Sequence, residues 1–267
     1  MNRAMLRVLV AVGLVFSACG DDAESDGPAT PDAGDGGGQP PVGGGDPPAD
    51  TLTAYQWETL SLTAPLGDSG TVLGTLFTDG LRKREIILVT RLSGSTPGTF
   101  ESGSARRTEG SDTPEDPADD VFEYYEAGDC TLPDGTVEPC TFDVHRGALT
   151  TGSDGWRSEA RGFVYVYHTV YKMVVRLKNL ELAETRAGCS ADVCGTFAGA
   201  VSESDAALTV FNVVTDDPST RTDLKTFLSN FGTTPDTTVP DDTGAMVPAY
   251  SFAGAFEAFE VGFDAGE

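Results

Sequence analysis

The sequence predicts a mainly β fold, either an antiparallel β-sandwich or a partly open barrel, with one helical insertion near residues 219–231. Runs of β-branched and aromatic residues recur throughout residues 51–267, and turns rich in Gly, Asp and Ser separate them. One segment follows the 3.6-residue period of an amphipathic helix. Short strands with Gly-rich turns and a single helix are typical of two packed sheets or of one sheet that curls on itself.

The strands are predicted from apolar and β-branched runs between turn signals. The Gly-Asp-Ser-Gly sequence at 67–70 predicts a polar turn, and the polar composition of residues 93–120 predicts a long exposed loop. The extended segments on either side of Cys130 and Cys140 are expected to form a stapled hairpin. The predicted strands before the helix are residues 53–62, 71–77, 84–92, 121–128, 141–151 and 161–182.

The strongest β signal is the segment 161–182, which is apolar on both alternate faces over its first half. Such a pattern is typical of a strand that is buried on both sides. The segment is too long for one ordinary strand, so we expect a turn or a bulge near residues 168–172 to divide it.

The helix is predicted over residues 219–231, with Gly232 at the position where helices commonly end. One apolar stripe at helical spacing carries this prediction: Leu224, Phe227, Leu228 and Phe231. Residues 206–214 fit either a strand or a short helix. Residues 232–248 are expected to form a loop, and residues 250–263 a strand with a register change near Ala258.

The first nineteen residues have the pattern of an export signal. Arg3 and Arg7 flank the start of the apolar run 8–16, and the small residues Ser17 and Ala18 follow it. A basic start, a short apolar run and a small-residue cleavage site predict a secretory signal peptide over residues 1–18.

Cys19, directly after this small pair, resembles the lipobox cysteine of bacterial lipoproteins. The resemblance covers residues 1–19 and implies cleavage before Cys19, acylation of its thiol and new amine by fatty acids such as palmitate, and anchoring to a membrane through the lipid. In that family an Asp directly after the cysteine favours the inner membrane. Gly20 stands there in this chain, so the resemblance favours the outer membrane or the cell surface, with the inner membrane as the alternative.

The segment 19–50 is predicted to be a disordered tether between the lipid and the domain 51–267. Residues 20–50 carry eight Asp and Glu, no Lys or Arg, and fifteen Gly and Pro. Such a composition buries too little apolar surface to offset the entropy of ordering. The remaining residues, 51–267, are enough for one domain with one core.

The charge balance excludes some partners. The chain has 42 acidic and 17 basic residues, a formal net charge of −25. Polyphosphates would be repelled, so nucleic acid is not expected as a partner. The partners that we expect are a membrane, through the lipid, and a protein or a glycan.

Four cysteines remain after Cys19: Cys130, Cys140, Cys189 and Cys194. An even number in an exported domain predicts two disulfides, for which three connectivities exist. Local pairing is favoured, because a Pro-Asp-Gly turn lies between Cys130 and Cys140, and four residues separate Cys189 from Cys194. A zinc site is the competing interpretation, but neither pair has the C-x2-C spacing.

Two binding sites are candidates. Calcium prefers oxygen ligands from acidic loops, and one such loop holds Asp112, Glu115, Asp116, Asp119 and Asp120. Calcium is therefore the candidate cofactor. Alternatively, aromatic rings could stack on a sugar: Trp57, Trp156, Tyr124 and Tyr125. In a further variant, an apolar ligand lies inside a barrel lined by Phe163, Tyr165, Tyr167 and Tyr171. Packing of these rings in the core is the ordinary interpretation.

No catalytic motif is apparent, and an enzyme is not expected. His145 and His168 are the only histidines, and neither has a carboxylate or cysteine at a metal-site spacing. We therefore expect a membrane-anchored lipoprotein that serves as a binding or interaction module. A structural component of the envelope is the alternative, and a hydrolase is a more distant one. A cleft that holds a histidine beside a carboxylate would favour the hydrolase.

Overall fold

The computed structural model describes residues 52–65, 67–94, 98–110, 119–153, 155–159, 163–186, 188–212 and 218–264. Its strands are β1 (Leu52–Ala64), β2 (Leu88–Ser93), β3 (Gly98–Glu109), β4 (Val121–Tyr124), β5 (Ala127–Thr131), β6 (Val137–Thr141), β7 (His145–Gly152), β8 (Gly155–Ser158), β9 (Phe163–His168), β10 (Met173–Glu184), β11 (Val193–Ser202), β12 (Val210–Asn212), β13 (Arg221–Asp223), β14 (Thr237–Pro240) and β15 (Met246–Phe263). Its helices are α1 (Asp68–Arg82), α2 (Glu203–Leu208) and α3 (Leu224–Asn230), and a 3-10 turn spans Pro218–Thr220.

Eight of the described strands form an antiparallel barrel in which each strand pairs with the next. The pairing runs through β1, β2, β3, β7, β8, β10, β11 and β15, and β15 pairs back with β1. The strands follow one another in chain order, so the barrel has an up-and-down arrangement. The predicted mainly β fold is confirmed, and its sheet curls into a barrel.

Serine side chains complete the barrel where β3 and β8 approach β9 and β10. The Ser104 hydroxyl donates to the Tyr165 carbonyl at 2.7 Å and accepts from the Tyr167 amide at 2.9 Å. Ser158 accepts from the Leu182 amide at 2.8 Å, beside a single Cα partnership between β8 and β10. We call this line the seam, because hydroxyl groups supply hydrogen bonds there that backbone groups supply in an ordinary sheet.

The barrel interior is a packed core. Trp57 stacks on Phe256 with ring centroids 4.0 Å apart, and its indole N–H donates to the Thr90 hydroxyl at 3.0 Å. That hydroxyl lies 3.0 Å from the hydroxyl of Ser102, so these three buried polar groups form hydrogen bonds with one another. The remaining internal cavity is about 30 Å³. An engineered cavity that admits benzene is about 150 Å³, so this interior is too full for an organic ligand.

Residues 68–82 form helix α1, so the predicted turn at 67–70 and the predicted strand at 71–77 are wrong. Leu73, Phe77 and Leu81 recur every four residues and are all buried in the main core. Asp68 in the first turn and Arg82 in the last complement the helix dipole. The apolar side of the helix therefore covers one end of the barrel.

The same end receives α3, because the Ser69 hydroxyl on α1 lies 3.0 Å from the hydroxyl of Thr233, just after α3. Helix α2 packs against α3. The predicted helix is confirmed over 224–230 only. Residues 221–223 pair with β12 instead, and Asp223 caps α3 by accepting from the Thr226 amide at 2.8 Å. The ambiguous segment 206–214 contains both structures, the end of α2 followed by β12.

The remaining predictions of strands and loops are confirmed in part. Segment 161–182 divides as expected into β9 and β10, joined by a turn at residues 169–172. The register change near Ala258 is present, but Glu58 of β1 is the extra residue opposite it. Residues 232–248, predicted as a loop, include β14. The predicted exposed loop at residues 93–120 is wrong where β3 runs, because β3 pairs with β2 and β7 and is largely buried over its first half. Segment 141–151 pairs as β7 with β3 and β8, while the stapled hairpin consists of β5 and β6.

Both predicted local disulfides are confirmed in the described part of the chain, Cys130–Cys140 and Cys189–Cys194. Disulfides persist in oxidising compartments, so they indicate an extracytoplasmic environment. None of the helices in the described residues combines the length and the apolar run that a bilayer crossing requires. Cys19 and the predicted signal peptide and tether lie outside the described residues.

Candidate functional site: a cleft beside the stapled hairpin

Three hairpins surround a cleft at the helix-covered end of the barrel. Its volume is about 170 Å³. We call it the hairpin cleft, and its lining residues are Thr131, Val170, Tyr171, Lys172, Val210, Phe211, Asn212 and Arg221.

The disulfide-stapled hairpin β5–β6 forms the first wall. The Thr131 amide donates to the Lys172 carbonyl at 2.8 Å, and the Thr131 hydroxyl donates to the Tyr171 carbonyl at 3.1 Å. The Tyr167 hydroxyl donates to the carbonyl of Asp129 at 2.9 Å. These bonds fix the hairpin to the turn between β9 and β10, so the two walls keep a constant separation.

The turn 169–172 forms the second wall and ends in an uncommon backbone conformation. Lys172 has φ of 50°, in the left-handed region that glycine adopts most easily. Its ammonium group lies 2.7 Å from the Asp129 carboxylate, and this hydrogen bond raises the pKa of Lys172. A glycine would adopt this conformation without backbone strain, so a lysine at this position indicates that its side chain has a role.

Strands β12 and β13 form the third wall. Phe211 is buried against Phe227, with ring centroids 5.4 Å apart, and it forms part of the cleft floor. Asn212 and Arg221 are direct cross-strand partners, so their side chains share one face. A Cβ atom built on Gly135 would lie 2.3 Å from Nη1 of Arg221, which places the guanidinium against the tip of the stapled hairpin.

The cleft differs in charge from the rest of this acidic chain. Two cations line it, and among the described residues no carboxylate is part of the lining. Arg221 is exposed and forms no ion pair within the described part of the chain. An unpaired guanidinium retains all five donors in a planar fork, which suits carboxylate or amide oxygens.

The predicted calcium loop is not assembled by the residues that the structure describes. Asp120 is fully buried, and its carboxylate oxygens lie 2.6 Å from Nη2 of Arg84 and 3.3 Å from Nη1 of Arg107. Two guanidinium groups therefore occupy the oxygens that a calcium ion would need. Asp119 is exposed, while Asp112, Glu115 and Asp116 lie outside the described residues. Across the described ranges, no three His, Cys, Asp or Glu side chains come together as a metal site would require.

The predicted aromatic platform is wrong for Trp57, which is 4% exposed inside the barrel. Tyr124 packs against Phe263 at 4.7 Å on the outer face of the barrel wall, where burial raises its pKa. Tyr125 packs edge-on against Tyr167, and Trp156 is half-buried on β8. The four rings therefore do not present one stacking surface.

The predicted interior aromatic lining is also corrected. Val164 and Val166 face the core cavity, whereas Tyr167 faces outward and packs on Phe142 at 4.9 Å. Tyr165 also has its ring near Phe142, at 5.7 Å. Tyr171 lines the hairpin cleft instead, and the side chain of Phe163 lies outside what the structure describes.

His168 lies beside a carboxylate, yet solvent does not reach it. Its Nε2 atom is 3.5 Å from Glu85, but the residue is 1% exposed and is not part of the hairpin cleft lining. Burial, with a smaller effect of Lys83, lowers the pKa of His168 to about 4, so the ring is neutral near pH 7. His145 is also buried, which lowers its pKa, and its ring packs on Phe100 at 4.9 Å. This geometry gives no support to a hydrolase.

Of the cleft residues, sequence reasoning named only Tyr171, and it placed that residue in a barrel interior instead. The turn near 168–172 was predicted, but its lysine was not distinguished from other surface charges. The one local signal is that the turn 169–172 contains no Gly, Asn or Asp. Arg221 has no comparable signal, because its importance arises from the Gly135 turn, 86 positions away in the chain.

A comparison of the chain with known protein families, curated proteins and solved structures finds no match. The functional argument therefore depends on the geometry and chemistry of the chain itself.

Proposed function

We propose that this chain is an exported lipoprotein, anchored through a lipid on Cys19, whose barrel domain binds a ligand in the hairpin cleft. The lipobox resemblance at residues 17–19 and the two disulfides support export. A lipid anchor followed by an acidic, Gly- and Pro-rich tether would hold such a domain at a membrane surface. The outer membrane is the proposed location.

The observation that carries the binding role is the cleft lining, in which Arg221 and Lys172 meet apolar side chains and the described residues contribute no carboxylate. Most of the charge on this chain is acidic and exposed, so a site of opposite character requires a specific arrangement. Lys172 is retained there in a conformation that favours glycine. Binding of a small molecule accounts for both features.

The anchor is tested by labelling cells that express the full chain with radioactive palmitate. We expect label and membrane fractionation for the natural sequence and neither for Cys19→Ser. Label on the Cys19→Ser variant, or a soluble natural protein, would contradict the lipid anchor.

The binding role is tested on the full chain in detergent, by thermal shift against a library of small sugars, amines and organic acids. We expect at least one compound to raise the midpoint of the natural protein and to lose that effect in Arg221→Ala. Arg82→Ala is the matched control, because Arg82 is an exposed arginine on α1 without an ion pair in the described residues. If every compound that binds does so equally in both variants, the cleft is not the binding site.

A further inference from the structure

We infer that the ligand of the hairpin cleft is a small organic carboxylate with a single negative charge and an apolar group. This inference rests on the proposed binding function and names its ligand class. Three properties of the cleft carry it: the net charge at its mouth, the donors that remain unused, and the apolar side chains at its floor and rim.

The charge at the cleft matches one negative charge. Arg221 and Lys172 each contribute one positive charge, and Asp129, paired with Lys172 at 2.7 Å, contributes one negative charge. The charges of these three described side chains sum to one positive charge. The whole chain carries −25, so a multiply charged phosphate would meet long-range repulsion that a monoanion largely avoids.

The free donors suit a carboxylate. The Arg221 guanidinium has no ion-pair partner in the described residues, and its planar fork can donate two parallel hydrogen bonds to one carboxylate. Lys172 donates to Asp129, and its ammonium group has two further protons. The Asn212 amide shares the face of Arg221 and adds a neutral donor.

The remaining surface of the cleft suits an apolar group. Val210 and Phe211 are buried at its floor, and Val170 is 55% exposed at its rim. Val137 is 47% exposed and is the cross-strand partner of Thr131, so it extends the same apolar face. A ligand that covers the exposed side chains of Val170 and Val137 removes apolar area from water, which favours binding.

The volume limits the ligand to one ring or a short chain. The cleft measures about 170 Å³. Engineered protein cavities of about 150 Å³ admit benzene, so a single aromatic ring with a short acid arm is of suitable size. A peptide or an oligosaccharide would extend well beyond the lining residues.

The test uses three probes and titration calorimetry on the full chain in detergent. 3-Phenylpropionate carries the acid and the ring, 3-phenylpropionamide carries the ring without the charge, and acetate carries the charge without the ring. We expect 3-phenylpropionate to bind about tenfold or more tightly than either, because hydrogen bonds to charged groups and apolar burial each contribute that much.

Variants separate the contributions. Arg221→Ala should remove the preference for the acid over the amide, Arg221→Lys should retain part of it, and Arg82→Ala should leave it unchanged. Val170→Ser should weaken 3-phenylpropionate and leave acetate unaffected. Circular dichroism melts should show that all four variants fold, because each changed side chain is exposed.

The outcomes distinguish this inference from the proposed function. Equal binding of acid and amide, or Arg221-dependent binding of a sugar or an amine with no response to 3-phenylpropionate, overturns the carboxylate assignment and leaves the cleft as a binding site. The absence of any Arg221-dependent ligand in the probe set and in the library overturns both.

Discussion

Replacing Asp120 with Asn should destabilise the barrel far more than an equivalent change at the surface. Asp120 is fully buried and lies between Arg84, 15% exposed, and Arg107, 24% exposed. The change keeps the shape of the side chain and removes its charge, so the guanidinium groups of Arg84 and Arg107 each lose a contact with a buried carboxylate. Removing one partner of a buried ion pair typically costs about 3–5 kcal/mol.

For a domain of this size, a loss of that magnitude lowers the melting midpoint by about 10 °C. Chemical denaturation of the natural chain and of Asp120→Asn measures the free energy directly. Gly110→Ala should act in the same direction, since Gly110 has φ of 131° and a Cβ atom there would lie 2.0 Å from Oδ1 of Asp120.

Glu123→Gln is the matched control, because Glu123 on β4 pairs with Arg106 on β3, the residue next to Arg107. Both of those side chains are partly solvent-exposed, at 30% and 58%, so loss of this pair should cost less than about 1 kcal/mol. If Asp120→Asn cost no more than Glu123→Gln, burial would not govern the strength of these pairs, and the reasoning would be refuted.

Three further predictions concern the cleft and the core. Lys172→Gly should keep or raise the melting midpoint, because glycine favours the left-handed backbone. Calorimetry should show that the same variant binds 3-phenylpropionate more weakly. A lower midpoint with unchanged binding would contradict this prediction. Replacing Cys130 and Cys140 with Ser should weaken the binding of 3-phenylpropionate and barely alter the melting of the barrel, since β5–β6 lies outside the barrel circuit. Replacing Cys189 and Cys194 with Ser should leave that binding intact. The natural chain should lose stability as the pH falls from about 6.5 to about 4, because burial lowers the pKa of His168 to about 4 and the unfolded chain takes up the proton first. The urea midpoints at pH 7.5 and pH 5.0 should differ less for His168→Gln than for the natural chain. An equal difference would show that His168 is not the group responsible.

The fold class and the disulfides were predictable because their signals are local. Alternating apolar residues indicate strands over a few positions, and a Pro-Asp-Gly turn brings Cys130 and Cys140 together without help from distant residues. The division of the long β segment at 169–172 followed from its length alone.

Helix α1 was not predictable in the same way, because its local signals oppose its structure. Gly74 and Gly80 lower helix propensity, and the Thr and Val residues of the segment 71–78 favour strands. A Cβ atom on Gly80 would lie 2.8 Å from Ile86, so the glycine permits close packing against the chain that follows. Burial of Leu73, Phe77 and Leu81 at the barrel end outweighs those local preferences.

The cleft was missed for a related reason. Thr131, Lys172 and Arg221 come from three hairpins that are distant in the sequence and adjoin only in the folded structure. The aromatic residues gave a stronger signal in the sequence, but large rings contribute most by filling cores, as Trp57 does. The acidic cluster at 112–120 suggested a calcium site for a similar reason, whereas Asp120 is in fact a buried counterion of Arg84.

The seam gives the barrel a preferred line of opening. Elsewhere around the circuit, separating two strands breaks several backbone hydrogen bonds at once, whereas here the amides of Tyr167 and Leu182 depend on one hydroxyl each. Thermal fluctuations should therefore open the barrel wall first where Ser104 meets β9 and Ser158 meets β10. Such an opening would expose the packed interior from the side of the barrel.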